Sequence, residues 1–242
     1  MTAQFDLTGQ RIAITGAGGG IGSETARLVA EMGADVRLSD LTAPEDAAQS
    51  VVALGRQAEA TALDTTDRDA VEAWAAACGP VDALIDCAAI CPFDDWHDQG
   101  WDAMAAEVFN VDLQGPLNVT RAFFGGMVER GSGRIVLIGS VAGRFGGLRG
   151  APHYAMAKGG IHSFVRWLAR RGAPHNVLVN AVAPAPVETP MTAGIDFLPE
   201  ELPMGRVAQA PEIAGPIAFL VSPAASYVSG AVVDVNGCLH FS

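Results

Sequence analysis

The sequence predicts an α/β fold: a single-domain, doubly wound parallel sheet of about seven strands flanked by helices. Short apolar segments alternate along the 242 residues with longer segments of helical periodicity. Several of these segments contain continuous apolar runs, such as the four apolar residues that follow Arg134 in 134–138, as strands do when both faces of a parallel sheet are covered. We find no internal repeat, low-complexity tract or interdomain linker, so one domain is expected over residues 1–242.

The elements follow from these patterns in chain order. The predicted strands are the apolar segments at 11–15, 35–39, 58–62, 82–87, 133–138, 176–182 and 231–235. The predicted helices lie between them, near 20–32, 44–54, 67–77, 98–129, 151–171 and 211–221. Residues 190–205 form one long insertion before the last helix.

A glycine-rich turn joins the first strand to the first helix. It has the spacing Thr-Gly-x-x-x-Gly-x-Gly, with glycines at Gly16, Gly20 and Gly22. Glycines permit a tight turn, and the free N–H groups at a helix N-terminus attract a pyrophosphate. The turn therefore predicts a dinucleotide site in a Rossmann-like fold.

Asp40 ends the second strand, about twenty residues after this turn, where an acidic side chain can accept hydrogen bonds from the adenosine ribose. A carboxylate there repels the 2′-phosphate of NADP(H), and neither the turn nor the residues directly after Asp40 supply Arg or Lys. We therefore expect NAD(H), although Arg37 within the strand favours the opposite preference.

Tyr154 and Lys158 lie four residues apart in a segment with helical apolar spacing, so both side chains project from one helix face. A neighbouring ammonium favours phenolate and should lower the tyrosine pKa below its usual value of about 10. Such a phenol can exchange a proton with an alcohol or carbonyl.

Together these motifs resemble the short-chain dehydrogenase/reductase family, over a range from Leu7 to about Leu239. The glycine motif matches Thr15–Gly22, and the Tyr-x-x-x-Lys pair matches Tyr154 and Lys158. The resemblance extends to Asp64, Asn110, Ser140, Asn180, Pro184, Val187 and Thr189.

The resemblance implies roles for these positions. The catalytic residues are Asn110, Ser140, Tyr154 and Lys158, and the insertion at 190–205 is the substrate lid. The residues implied to bind the cofactor are Gly16, Gly20, Ile21, Gly22, Asp40, Asp64, Thr65, Cys87, Ala88, Ala89, Tyr154, Lys158, Pro184, Val187 and Thr189. Family members usually form tetramers, so a homotetramer or homodimer is expected.

The sequence departs from the family pattern twice. Asp86-Cys87-Ala88-Ala89 stands where the family usually has Asn-Asn-Ala-Gly, and Pro184-Ala185 where it has Pro-Gly. Ala89 and Ala185 are tolerated if φ stays negative and are costly otherwise. The resemblance also implies hydride transfer between NAD(H) and a small secondary alcohol or ketone, with Tyr154 as general acid and base.

Three candidate substrate contacts lie near the catalytic pair. Arg144 and Arg149, in the loop between Ser140 and Tyr154, suggest attraction of an anionic substrate group, with exposed loop arginines as the alternative. His153 precedes the tyrosine directly. Cys87 and Cys91 lack a second Cys or His pair at zinc spacing, so no metal is expected.

Composition excludes other classes. The chain has 27 acidic and 15 basic residues, a net charge of −12, which argues against nucleic acid and anionic membrane partners. The N-terminus does not resemble a signal peptide, and no apolar segment reaches the ~18 residues of a membrane span. With scattered cysteines, these features predict a cytoplasmic protein.

Two alternatives to the alcohol dehydrogenase remain open. One is an NADPH-dependent ketoreductase of the 3-oxoacyl type, against which Asp40 argues. The other is a weakly catalytic, nucleotide-sensing binding protein, favoured by Cys87, Ala89 and Ala185 and opposed by the intact catalytic set.

Overall fold

The computed structural model describes residues 3–147 and 149–242. Met1, Thr2 and Leu148, which the predicted domain includes, lie outside the described residues. The main sheet has seven parallel strands in the order β3-β2-β1-β4-β5-β6-β9. The chain order reverses between β1 and β4, and ligands of open α/β sheets bind in the crevice outside the strand ends at such a point.

The strand bounds agree closely with the sequence prediction. The seven strands are β1 (Arg11–Thr15), β2 (Asp35–Asp40), β3 (Ala58–Ala62), β4 (Ala83–Asp86), β5 (Gly133–Ile138), β6 (Val177–Pro184) and β9 (Val232–Val235). Two further short strands pair with each other, β7 (Val187–Glu188) and β8 (Ala208–Gln209). Two-residue strands carry no periodicity and were not predicted.

The helices cover both faces of the sheet. They are α1 (Gly20–Glu31), α2 (Glu45–Ala53), α3 (Arg68–Cys78), α4 (Trp101–Phe109), α5 (Gly115–Arg130), α6 (Ala142–Phe145), α7 (Pro152–Gly172) and α8 (Ala210–Val221). The predicted helix 98–129 is interrupted, because residues Asn110–Gln114 between α4 and α5 form a π-helix. This wider turn changes which side chains of the segment face the sheet.

Alternate residues of the central strands enter two separate hydrophobic cores. Ile12 and Ile14 pack with α1, α2 and α8 on one face, whereas Ala13 and Ile135 pack with α3, α5 and α7 on the other. Both faces are buried, which explains the uninterrupted apolar runs of the strands. No helix of the described residues combines the length and apolar character needed to cross a membrane.

Candidate active site

A groove of about 880 Å³ runs along the carboxyl ends of the strands at the point where the strand order reverses. Its walls include the glycine turn, Asp40 and the segment after β4. A smaller cavity of about 140 Å³ adjoins the groove and contains the catalytic candidates. Cys87, Ala89 and Met191 line both spaces, so the two form one continuous site.

The glycine turn is packed so tightly that side chains are excluded from it. Gly16 has φ +63°, and a Cβ there would lie 2.5 Å from the backbone nitrogen of Ala88. A Cβ on Gly22 would overlap the Gly16 carbonyl, and one on Gly20 would lie 2.7 Å from Thr189 Cγ2. The turn therefore touches both the segment after β4 and the segment after β6, and its shape suits a cradle for a pyrophosphate.

Asp40 braces the turn with both carboxylate oxygens. Oδ2 accepts the backbone N–H of Gly18 at 2.9 Å, and Oδ1 accepts that of Leu41 at 2.8 Å. Each oxygen keeps further acceptor capacity, so the carboxylate that caps the loop also presents acceptors to the groove. The predicted cofactor residues Asp64 and Thr65 line the same groove, where Asn118 Nδ2 donates a hydrogen bond to the Thr65 carbonyl at 3.0 Å.

The small cavity brings together residues from six segments. Ser140 follows β5, Tyr154 and Lys158 lie on α7, and Ile21 is the second residue of α1. Pro184 comes from β6, Val187 from β7, and Thr189 lies between β7 and the lid. All of these candidate residues therefore line one cavity.

Tyr154 and Lys158 share one face of α7, as their spacing predicts. Lys158 Nζ lies 5.5 Å from the centroid of the tyrosine ring. The ammonium also donates to the Ile138 carbonyl at 3.2 Å. Ser140 stands opposite, with its Oγ accepting the Ala142 N–H at 3.0 Å.

The predicted direction of the Tyr154 pKa shift is wrong for the structure described. Loss of hydration in the cavity raises the pKa of Tyr154 to about 12, even though Lys158 and a hydrogen bond from Ser140 lower it. Charge on Cys91 and Asp112 adds to the rise. The sequence reveals the neighbouring cation but not the cost of burying the phenolate, which here is larger.

Asn110 does not join the cluster, contrary to the prediction. Its side chain is exposed at the start of the π-helix. The residue of this segment that contacts the catalytic pair is Asp112, which is fully buried with Oδ2 3.3 Å from Lys158 Nζ. The sequence shows Asp112 two positions after the predicted Asn110, and this was the one available indication. A regular α-helical spacing does not reveal which of the two residues faces inward, because the π-helix changes that spacing.

Arg144 and Arg149 are both engaged by acids of the protein rather than available as a pair for an anion. Arg144 Nε lies 3.4 Å from Asp234, and its Nη2 donates to the Val232 carbonyl. Arg149 Nη2 contacts both carboxylate oxygens of Glu201 in the lid, at 2.9 and 2.8 Å. Of the two, Arg149 alone lines the small cavity.

His153 is fully buried and packs away from the small cavity. Its Nε2 lies 3.1 Å from Asp94 Oδ1, and its ring stacks on Trp101 with 5.4 Å between centroids. His153 therefore does not line the small cavity as a substrate contact would. With Asp94 and Trp101 it forms a cluster, here called the bracket, that links the segment after β4 to α7.

The alanine and cysteine departures are accommodated without backbone strain. Ala89 and Ala185 line the site, and neither has the positive φ that would penalise a side chain. Burial raises the pKa of Cys91 to about 12 and raises that of Cys87 as well. Both thiols are therefore protonated and unreactive near neutral pH.

Fold and site together define a class of oxidoreductases that bind a nicotinamide dinucleotide. A family profile described as "Enoyl-(Acyl carrier protein) reductase" matches residues 16–240. The chain is 33% identical to a 3-oxoacyl-[acyl-carrier-protein] reductase of Vibrio harveyi, covering 98% of this chain and 99% of that one. It is 39% identical to a galactitol 2-dehydrogenase (L-tagatose-forming) of Cereibacter sphaeroides, covering 96% of each.

A solved structure of a 3-oxoacyl-[acyl-carrier protein] reductase with bound NAD from Brucella melitensis superposes with a TM-score of 0.90 at 31% identity. The match covers 99% of this chain and 94% of that one. The chain belongs to the short-chain dehydrogenase/reductase family, confirming the resemblance and the fold predicted from its motifs. It is an oxidoreductase of that family, acting on a small molecule with a nicotinamide cofactor.

Proposed function

We propose that this chain is an NAD(H)-dependent oxidoreductase that interconverts a small secondary alcohol and its ketone, with Tyr154 as the general acid and base. The observation that carries the proposal is the meeting of Ser140, Tyr154 and Lys158 in a small cavity that opens into the dinucleotide groove.

The charges around the adenosine end of the groove support NAD(H) over NADP(H). Asp40, Glu45 and Asp46 line this end. The groove's one basic side chain among its lining residues, Arg27, is paired with Glu24 and Glu31. The 2′-phosphate of NADP(H) would be repelled by these carboxylates and would find no unpaired cation among the lining residues, whereas the ribose hydroxyls of NAD(H) could donate hydrogen bonds to the carboxylates.

The protein's own groups account for the proton and for the substrate's orientation. Bound NAD⁺ would supply the hydride acceptor. Tyr154 as phenolate accepts the alcohol proton while Ser140 holds the same oxygen in line. In the reverse direction the neutral phenol donates that proton to the ketone oxygen. Lys158, with its buried ammonium, stabilises the phenolate form.

The dimensions of the small cavity support a compact, largely uncharged substrate. Apolar side chains of Phe93, Val141, Met191 and Phe197 line it. Arg149, its one charged member besides Lys158, is already bound to Glu201. Cyclic alcohols and short-chain secondary alcohols match this lining better than dianionic substrates do.

The decisive test is NADH formation with a panel of secondary alcohols, polyols and hydroxy acids. The chain has two tyrosines, and Tyr227 is fully exposed, which makes Tyr227→Phe a matched control. We expect Tyr154→Phe to lose about 100- to 10,000-fold of turnover and Tyr227→Phe to retain it. More than about a tenth of wild-type activity in Tyr154→Phe refutes the assignment of the base.

A second candidate is an NADPH-dependent ketoreductase of the 3-oxoacyl type, because a relative of that name is 33% identical over nearly the whole chain. The cavity of about 140 Å³ and the acidic lid, whose charged residues are Asp196, Glu200 and Glu201, oppose docking of an acidic carrier protein. NADPH oxidation with acetoacetyl-CoA, compared with NADH at equal concentration, distinguishes the two. A chain that binds NAD but turns over none of these substrates would instead be a nucleotide-sensing protein.

The proposed assembly is a homotetramer or homodimer in the cytoplasm. Large apolar side chains are exposed on α5 and α7, with 44% of Leu117, 66% of Met156 and 50% of Trp167 accessible. The four cysteines are free thiols, as in reducing compartments. Light scattering on the purified protein measures the oligomeric state.

A further inference from the structure

We propose that Asp112 is a positioning residue of the reaction: its carboxylate holds the Lys158 ammonium beside the Tyr154 ring and draws that positive charge away from the phenol oxygen. The inference rests on the proposed function, in which Tyr154 exchanges the substrate proton. It adds a residue that the motif spacing did not identify.

The carboxylate of Asp112 is fully buried and uses both oxygens inside the site. Oδ1 accepts the backbone N–H of Ile90 at 2.9 Å, which fixes the rotamer. Oδ2 makes no other hydrogen bond within the described residues and lies 3.3 Å from Lys158 Nζ. The two groups form a buried ion pair, and separating them would leave each with an unpaired buried charge, which is strongly destabilising.

The π-helix at Asn110–Gln114 places Asp112 in this position. A π-turn carries one residue more than an α-turn and occurs frequently at functional sites. It leaves Asn110 exposed and turns Asp112 inward against α7. The local distortion therefore serves the contact with Lys158.

The charges around the lysine explain why Asp112 affects the tyrosine. Burial by itself lowers the pKa of Lys158, but the negative charges of Asp112, Tyr154 and Asp86 outweigh burial and raise the pKa above its usual value. Lys158 therefore stays an ammonium. The same Asp112 charge opposes ionisation of Tyr154. The titratable groups that act on Lys158 or Tyr154 from the neighbouring elements are Asp86, Cys87, Cys91, Asp112 and His162. One step further out, His153 acts on Asp112 and Asp94 acts on Cys91.

The consequence for the reaction is a division of roles. Asp112 keeps Lys158 charged and anchored between two acceptors, its own carboxylate and the Ile138 carbonyl. In return the phenol stays protonated to higher pH, so it holds the proton that reduction of a ketone consumes and forms the phenolate that alcohol oxidation needs less readily. Removing the carboxylate charge should therefore make the phenolate easier to form.

The test is a spectrophotometric titration of tyrosinate in the Tyr227→Phe background, where Tyr154 is the one remaining tyrosine. Asp112→Asn removes the charge while its amide oxygen still accepts from Ile90. Asp102→Asn, which alters an exposed acid of α4 outside the site, is the matched control. If Asp112→Asn does not fold by circular dichroism, Asp112→Ser removes the same charge with a smaller side chain.

We expect Asp112→Asn to lower the Tyr154 pKa by about one unit, giving about tenfold more phenolate at a fixed pH below it. The pH profile of kcat/KM for alcohol oxidation should move to lower pH by the same amount, whereas Asp102→Asn moves neither. An unchanged or raised pKa overturns the inference.

The two readouts separate this inference from the proposed function. The titration needs neither cofactor nor alcohol. A wild-type chain without NAD-dependent turnover refutes the proposed function whatever the titration shows. Normal turnover with no pKa shift in Asp112→Asn refutes the role of Asp112 and leaves the proposed function in place.

Discussion

The contact between Gly20 and Thr189 offers a quantitative test of the site's geometry. It joins the glycine turn, which would hold the pyrophosphate, to a second segment predicted to bind the cofactor. A Cβ on Gly20 would lie 2.7 Å from Thr189 Cγ2 and 3.1 Å from its Cβ. Carbon atoms in favourable contact are about 3.5–4.0 Å apart, so Gly20→Ala forces roughly 1 Å of overlap.

The expected cost follows from that overlap. Inserting a methyl group into a packed site costs about 1–3 kcal/mol, and Gly20 is the first residue of α1, where alanine returns up to about 1 kcal/mol of helix propensity. The net destabilisation of Gly20→Ala should be about 1–2 kcal/mol. For a chain of this size that lowers Tm by about 2–8 °C.

A second substitution removes the obstacle. Thr189→Ser deletes Cγ2 and keeps the hydroxyl, which donates to the Val187 carbonyl at 3.4 Å. In a double-mutant cycle, we expect Thr189→Ser to restore at least half of the stability lost in Gly20→Ala. Gly19→Ala is the control, because its Cβ would have one neighbour, the Gly16 carbonyl oxygen at an ordinary 3.6 Å, and its φ is −85°.

Urea denaturation of the four cycle members and the control measures these free energies. If Gly20→Ala is as stable as Gly19→Ala, or if the two substitutions are simply additive, the described approach of the two segments is wrong. A loss of NAD⁺ affinity in Gly20→Ala that Thr189→Ser reverses would connect the same contact to cofactor binding.

Two further predictions concern the lid and the response to pH. Arg149→Ala and Glu201→Gln should change KM for the alcohol by similar factors, because either substitution breaks the ion pair that holds the lid. Each should change the free energy of unfolding by less than about 1 kcal/mol, since the ion pair is exposed. A change in KM confined to Arg149→Ala would show instead that the arginine binds substrate. Burial lowers the pKa of His162 in the folded protein to about 4. In the unfolded chain the imidazole has its usual pKa of about 6.5, so between these two values the unfolded state binds a proton that the folded state does not. The free energy of unfolding should therefore fall by up to about 3 kcal/mol as the pH drops from 6.5 to 4. His162→Gln should flatten that part of the melting profile, and an unchanged acid slope in the variant would contradict the assignment.

The parts of the site that repeat in short motifs were predictable from the sequence. Gly16, Tyr154 and Lys158 lie where strand, turn and helix spacing put them, because local periodicity determines which face of an element a side chain occupies. The continuous apolar strands likewise predicted a sheet buried on both faces. These inferences need no knowledge of distant contacts.

The parts that depend on tertiary contacts were not predictable. The π-helix exchanges Asn110 for Asp112, and a uniform α-helical spacing cannot show such a change. The partners of Arg149 and His153 are Glu201 and Asp94, each more than fifty positions away. The rise in the Tyr154 pKa depends on desolvation, which requires the packed cavity and not the neighbouring lysine alone.

The bracket formed by His153, Asp94 and Trp101 has a consequence for substrate size. It fastens the segment containing Cys91 and Phe93, which forms one wall of the cavity, to the first turn of the helix that carries Tyr154. An oversized alcohol that pushes this wall outward also drags the phenol out of alignment. We therefore expect bulky substrates to show a lower kcat as well as a higher KM, because the cavity wall that limits substrate size is linked to the helix that carries Tyr154.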